Sequence, residues 1–264
     1  GGIQDAAITH TLGFGEYQKR NLANQTSYWR FERFEVTGYA SAFWFSGGPQ
    51  WYRYLYLHDN TSNVQLAAAI WITLPHDCII EYCYFYNNDQ SSSINAQYGH
   101  IAFNNDYLDD ESPTTFNPDV CTKKNTIRYN FMNDSTFGIH YKNQQRFGTN
   151  TRTAASVALN YGTWGDKIHH NIIINNVRNG ILFDQDNAQA YNNIIEVSSY
   201  GAIQFGQEVQ LSSDNTMLYN CVAYNNTVIN SGKSYGSNAG GDPASSHPYI
   251  YFYNNISDRN GSSD

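Results

Sequence analysis

The sequence predicts an all-β solenoid: a stack of short coils, each burying its apolar side against the next. Two observations carry this. Residues 166–207 (DKIHHNIIINNVRNGILFDQDNAQAYNNIIEVSSYGAIQFGQ) hold two copies of one unit. In it Ile168, Asn171, Ile173 and Gly180 to Phe183 align with Ala190, Asn193, Ile195 and Gly201 to Phe205. The period, about 22 residues, lies in the range of stacked repeats. Within each copy the apolar residues fall into three short β-like runs broken by polar turns, with no helical periodicity. Neither copy can bury its apolar side alone, so the units must stack.

The same unit recurs along the chain. Residues 1–27 offer one first strand around Ala7-Ile8-Thr9-His10 and then a polar loop, an N-terminal coil or cap to the stacked coils of residues 28–260. The first full coil reads Tyr28 to Phe31, Phe34, Val36 and Ala42 to Phe45; the second reads Trp51-Tyr52, Leu55, Leu57 and Ala69 to Ile72. The third reads Ile79-Ile80, Cys83, Phe85 and His100 to Phe103, and the fourth Thr126-Ile127, Asn130, Met132 and Gly138 to Tyr141. The two copies above are the fifth and sixth. A seventh follows with Ala223, Asn226 and Val228, and a partial eighth with Phe252, Asn255 and Ser257. One turn position therefore reads Phe34, Leu55, Cys83, Asn130, Asn171, Asn193, Asn226, Asn255. Asparagine suits such a turn because it tolerates a left-handed backbone and its amide can bond its counterparts in the coils above and below.

This pattern resembles the right-handed parallel β-helix of the pectate-lyase-like, PbH1-repeat superfamily of carbohydrate-active proteins. The resemblance covers nearly the whole chain. It implies an all-β, right-handed parallel β-helix solenoid of about seven to eight coils, three strands to a coil, with an asparagine ladder and long loop insertions, as a single domain over residues 1–264. The last coil stops before its first-strand segment, so the expectation is a chain that continues or is capped beyond it.

Composition narrows the function classes. Of 264 residues only 14% are charged, with a net charge of −8, which argues against a nucleic-acid partner. No apolar run approaches a membrane span, and the opening GGIQDAAITH has no signal-peptide character, as though a leader had been removed. The four cysteines (Cys78, Cys83, Cys121, Cys221) show no zinc-type spacing; Cys78 and Cys121 could pair, or be buried thiols. Six Asn-x-Ser/Thr sequons, at Asn24, Asn60, Asn133, Asn225, Asn255 and Asn260, hint weakly at a glycosylated surface. Secretion, or a place at the cell surface, is expected mainly from the resemblance.

The insertions bear on function. Long ones follow the first strand at about residues 105–121 and 143–165, and shorter ones (NNDQSSSINAQYG, SGKSYGSNAGGDPASSHP) follow the third. Both sets border the first-strand face, where the resemblance places a substrate cleft. Alternation puts Trp44 and Ser46, Trp71 and Thr73, Ala102 and Asn104, His140 and Lys142, Leu182 and Asp184, and Gln204 and Gly206 outward there, with Asp106, Gln144, Asp186 and Glu208 just beyond. Trp44 and Trp71 would form an aromatic shelf for sugar rings, or else a packing stripe. Asn104, Arg152 and Gln204 would contact substrate. Asp184, Asp186 and Glu208 could hold Ca²⁺, or simply face water. Lys142 or His140 would be the base, with Arg146 nearby; alternatively, Lys142 pairs with Asp184. The His169-His170 pair lies away from that cleft, with one ring expected in the core. Asp109-Asp110-Glu111 reads as a solvated turn.

Three functions follow. A polysaccharide lyase would cleave a uronate-containing glycan by β-elimination, with Ca²⁺ neutralising the carboxylate. The stronger lyase signatures, a WIDH-type strand and an RxPxxR-type segment, are missing. A glycoside hydrolase would pair Asp184 with Asp186 or Glu208, without the NTD, DD and GHG patterns of polygalacturonases. The third is a non-catalytic structural, adhesive or glycan-binding module, associating end to end with its own kind. The lyase reading is favoured narrowly, with a polysaccharide as partner.

Overall fold

The computed structural model describes residues 3–4, 11–15, 28–60, 68–73, 75–88, 99–104, 124–142, 165–183, 187–197, 201–206, 220–229, 233–238 and 250–258. These form a right-handed parallel β-helix of three sheets. Sheet 1 holds the first strands: Ser41–Ser46, Ala68–Thr73, Gly99–Asn104, Phe137–Lys142, Ile181–Phe183, Gly201–Gly206 and Lys233–Asn238, preceded by Thr11–Gly15 and Ile3–Gln4. Sheet 2 runs from Trp29–Glu32 through Gln50–Arg53, Ile79–Glu81, Thr126–Arg128, Lys167–His169, Gln189–Tyr191 and Cys221–Tyr224 to Ile250–Tyr253. Sheet 3 runs from Glu35–Thr37 through Tyr56–His58, Tyr84–Tyr86, Phe131–Ser135, Ile172–Asn176, Ile194–Val197 and Thr227–Ile229 to Ile256–Asp258. Neighbouring coils pair in parallel; the exception is Ile3–Gln4, antiparallel to Thr11–Gly15. Among the described residues no helix is long and apolar enough to cross a membrane.

The core is the column interior. Ile80, Ile127, Ile168, Ala190 and Ala223 stack along sheet 2, and Leu57, Phe85, Met132, Ile173, Ile195 and Val228 along sheet 3, all buried. Thr11–Gly15 pairs in parallel with Ser41–Ser46, Phe14 beside Phe43, and the expected strand at Ala7 to His10 lies outside the described residues. One segment differs from expectation. Lys233–Asn238 was expected within an insertion but adds a strand to sheet 1. Its KSYGSN sequence conceals the strand because Tyr235 alone supplies an apolar residue at an inward position.

The predicted ladder forms, and it governs the corner between sheets 2 and 3. Each asparagine oxygen accepts from the backbone N–H of its counterpart one coil earlier: Cys83 to Asn130 (2.9 Å), Asn130 to Asn171 (3.0 Å), Asn171 to Asn193 (3.1 Å), Asn193 to Asn226 (3.0 Å) and Asn226 to Asn255 (2.9 Å). Each Nδ2 donates to a carbonyl of the preceding coil, as Asn171 does to Ile127 (3.0 Å). The left-handed residue, however, is the one before the ladder position. Arg33, Tyr54, Tyr82, Tyr129, His170, Asn192, Asn225 and Asn254 all have φ between 52° and 62°. Such a conformation costs a non-glycine residue about 1–2 kcal/mol, so each corner must recover that cost through its bonds and stacking.

The other two corners carry ladders that the sequence reading missed. Between sheets 1 and 2, Cys78 N–H donates to Asn125 Oδ1 (2.9 Å) and Asn125 N–H to Asp166 Oδ1 (2.8 Å). The buried Asp166 carboxylate also accepts from Asn125 Nδ2 (2.9 Å) and from the Tyr141 hydroxyl (2.8 Å). Between sheets 3 and 1, Tyr39 N–H donates to Asn60 Oδ1 (3.2 Å) and Asn60 N–H to Asn88 Oδ1 (3.3 Å). Here too left-handed residues precede the ladder: Asp77 and Lys124 at one corner, Asp59 and Asn87 at the other. The Asn60 sequon is therefore a buried ladder amide, closed to glycosylation, and the Asn255 amide is likewise engaged. Cys78 and Cys83 are buried thiols, Cys221 is buried as well, and Cys121 lies outside the described residues. Burial pushes the Cys78 and Cys83 thiols up to about 12, which leaves them protonated and unreactive.

Asn171→Ala should therefore destabilise the fold by about 3–5 kcal/mol, because it strands the Asn130 N–H and the Ile127 carbonyl in a dry corner. Asn255→Ala, in a half-buried corner, should cost less. Urea denaturation of the two variants checks the order.

Candidate functional site

The register of sheet 1 puts the expected first-strand residues where alternation placed them. Trp44 pairs with Trp71, Trp71 with Ala102, Ala102 with His140, His140 with Leu182 and Leu182 with Gln204. Two residues further on, the backbones of Thr73, Asn104 and Lys142 pair in register. The row from Trp44 to Leu182 on this face is closed to solvent, however. Trp44 is 2% exposed and Trp71 0%; they pack 5.4 Å apart in a second apolar cluster with Ala68 and Ala102. His140 is 1% exposed and lies flat on Phe137, over whose ring Arg178 also sits. Gln204 accepts a hydrogen bond from Asn179 (2.8 Å). Trp44, Trp71 and His140 therefore occupy a packed layer in this structure. Arg146, Arg152, Asp184, Asp186 and Glu208 lie outside the described residues, as do Asp106, Gln144 and Asp109 to Glu111.

Among the described residues an open groove runs along the corner between sheets 2 and 3. Its origin is local. At each corner the ladder residue points inward, so the residues on either side of it splay outward onto two different sheets. In-register stacking then converts a notch in each coil into a continuous trough. Three successive coils place aromatic residues on both sides: Tyr54-Leu55-Tyr56, Tyr82-Cys83-Tyr84 and Tyr129-Asn130-Phe131. The groove they line, with Phe34 at one end, has a volume of about 570 Å³.

Its two banks differ. On one, Tyr54, Tyr82 and Tyr129 are stacked nearly parallel, with ring centres 5.2 and 5.1 Å apart, and are 41–43% exposed. Neighbouring rings cover one another's faces, so this bank presents ring edges. On the other, Tyr56 and Tyr84 meet edge to face at 5.2 Å and Tyr84 stacks on Phe131 at 5.0 Å. Arginines border the first bank: Arg33 and Arg53 lie over the Tyr54 ring at 5.6 and 5.2 Å. Arg53 and Arg128 clamp the buried Glu81 carboxylate between them, at 2.6 Å each, tying three coils together.

Beyond Tyr129 the bank passes to the histidine pair. His170 continues the stack at 5.1 Å from Tyr129, and His169 lies 4.6 Å from Tyr191 on the outward row of sheet 2, where Ile168 takes the core position. The expectation of one histidine in the core is thus corrected: His169 is buried by its aromatic neighbours. Asn192 Nδ2 donates to His170 Nε2 (3.3 Å), so the His170 Nδ1–H is the donor to His169 Nδ1 (2.8 Å). Burial foremost, with His170, Arg128 and Lys167 adding to it, lowers the His169 pKa to about 4. Among the described residues no group of three or more His, Cys, Asp or Glu is placed to hold a metal ion.

At the opposite bank Tyr56 stacks on His58, 4.2 Å away, and the ring bridges Asp59 and Glu35 at 2.6 Å each. Burial opposes a charge on His58, but the bonds to Glu35 and Asp59 outweigh it and raise its pKa above the ordinary 6.5. Bonds from His58 and from Asn87 hold Asp59 below its ordinary 3.8. The stability from His58 is complete below 6.5 and lost as pH rises through its raised pKa; that from Asp59 is complete above 3.8 and lost as pH falls through its lowered one. The clasp should thus stabilise most between about pH 4 and 6. The difference in thermal midpoint between wild type and His58→Gln, followed against pH, should peak in that window. His169 has the opposite sign: the unfolded chain takes up its proton below 6.5 and the folded one only near 4, so total stability should fall with acid while the difference isolates the clasp.

Comparison of the chain with protein-family models, with curated proteins and with solved structures returns no match.

Proposed function

We propose that this β-helix is a glycan-binding module that holds an extended polysaccharide in the aromatic groove between sheets 2 and 3. The observation that carries the reading is the open groove itself, lined by Tyr54, Tyr82 and Tyr129 on one bank and Tyr56, Tyr84 and Phe131 on the other. A ring edge or face beside a hydroxyl suits a sugar, which offers C–H surface and hydroxyls together. Its run across successive coils suits a chain better than a compact molecule. Strand addition by a peptide is disfavoured, because the strands flanking the groove are hydrogen-bonded on both sides to neighbouring coils. The resemblance to carbohydrate-active β-helices supports the same ligand class, and on this reading the protein works outside the cell or at its surface.

Affinity electrophoresis through gels containing neutral or acidic polysaccharides tests this. At least one polymer should retard the protein, and Tyr82→Ala and Tyr84→Ala should each weaken retention three- to tenfold, roughly 0.7–1.4 kcal/mol, with an unchanged circular-dichroism spectrum. Equal retention of wild type and both variants would exclude the groove.

A second reading, β-elimination on the sheet 1 face, is favoured by the register that aligns Thr73, Asn104 and Lys142 in one row. Lys142 would be the base there, with Ca²⁺ held by Asp184, Asp186 and Glu208. Incubation with uronate polymers, with and without Ca²⁺, should then raise the ultraviolet absorbance of a new double bond, and Lys142→Ala should abolish the rise. Reducing ends released without that absorbance would point to hydrolysis instead.

A further inference from the structure

The parallel register builds a second tyrosine column besides the groove bank. Tyr191, Tyr224 and Tyr253 occupy one outward row of sheet 2, with ring centres 4.9 and 5.1 Å apart and planes within 9° of parallel. The groove bank has the same form: Tyr54, Tyr82 and Tyr129 at 5.2 and 5.1 Å, within 15°. In both columns each phenol comes from a different coil, and the chain between partners leaves the column and returns. We propose that these two columns are sites of oxidative cross-linking, at which a peroxidase-type oxidant joins neighbouring phenols of one chain into dityrosine.

The chemistry needs proximity and access, and both are present. Each of two adjacent phenols gives up one electron and its hydroxyl proton to the oxidant and becomes a phenoxyl radical. The radicals couple through a new carbon–carbon bond between ring positions ortho to the oxygens. The ring hydrogens at those carbons then move to the oxygens and restore two phenols. Each link thus removes two hydrogens from the protein, and one molecule of hydrogen peroxide is reduced to two of water. Holding the rings near van der Waals separation raises their effective concentration far above that of a phenol on another molecule. The oxidant reaches the columns at Tyr54, Tyr82, Tyr129 and Tyr253, which are 41–49% exposed. A small swing of one ring about its side-chain bonds brings the ortho carbons together, and the backbone stays in register.

A link between coils acts like a disulfide across a long loop: it restricts the unfolded chain. The columns are placed for this. One ties the coils of Tyr54, Tyr82 and Tyr129, and the other those of Tyr191, Tyr224 and Tyr253, so that together they span most of the described stack.

The test is treatment of the dilute protein with a haem peroxidase and hydrogen peroxide, followed by gel filtration, peptide mapping of cross-links, and melting of the monomer fraction. Links within one chain should join Tyr82 to Tyr54 or Tyr129, and Tyr224 to Tyr191 or Tyr253, and the thermal midpoint should rise by roughly 5–10 °C. Tyr82→Phe should remove the first set and spare the second; Tyr224→Phe should do the reverse. Tyr28 and Tyr251, at 82% and 52% exposed, serve as the internal control. Links that form only between molecules, that concentrate at Tyr28 and Tyr251, or that are indifferent to both substitutions would overturn the proposal.

Discussion

The structure depends on one constraint at its corners. Three times per coil the chain must turn sharply and still present the next coil with an identical outline. The solution is a left-handed residue followed by a side chain that faces inward and satisfies the backbone of its neighbour. The first of the pair is costly for any residue with a Cβ, and the second puts a polar group where water cannot reach it. Neither is tolerable alone. Together, repeated in register, they cancel, because each buried amide answers the N–H of the coil before it and the carbonyl of the strand beside it. The number of residues between strands can then differ from coil to coil.

Much of this was legible in the sequence, unevenly so. The ladder at the corner of sheets 2 and 3 could be read because it repeats one residue type, Asn130 to Asn255, at nearly constant distance from apolar neighbours. Its two companions could not. The corner between sheets 1 and 2 uses Cys78, Asn125 and Asp166, three residue types that share only a small inward polar group. The corner between sheets 3 and 1 uses Asn60 and Asn88, separated by segments of unlike composition. The left-handed residues were hidden for another reason: tyrosine, arginine and histidine are not turn formers, and Tyr54, Tyr82 and Tyr129 adopt that backbone because tertiary stacking overrides local preference.

The expected working face was legible in register and misleading in exposure. Alternation placed Trp44, Trp71, Ala102, His140 and Gln204 in one outward row, and the strands pair accordingly, yet outward from the core does not mean open to water. Two tryptophans and a histidine in one row of a parallel sheet are themselves a packing surface, and they are closed over here. The groove, by contrast, announced itself as an aromatic-x-aromatic triplet centred on the ladder: Tyr-Leu-Tyr, Tyr-Cys-Tyr, Tyr-Asn-Phe. The middle residue fits the ladder position, while its flanks belong to none of the apolar runs that define the coil. A turn whose centre is buried must send both flanks outward.

The stacked bank has a consequence for whatever lies against it. A row of like rings, one per coil, is a scale with fixed graduations set by backbone hydrogen bonding and not by side-chain chemistry. A polymer whose own spacing matches that scale gains the same contact at every mark. One whose spacing differs slides out of phase after a few units, so that adding length no longer adds hold. On the proposed function, the fold would thus discriminate among polymers by wavelength.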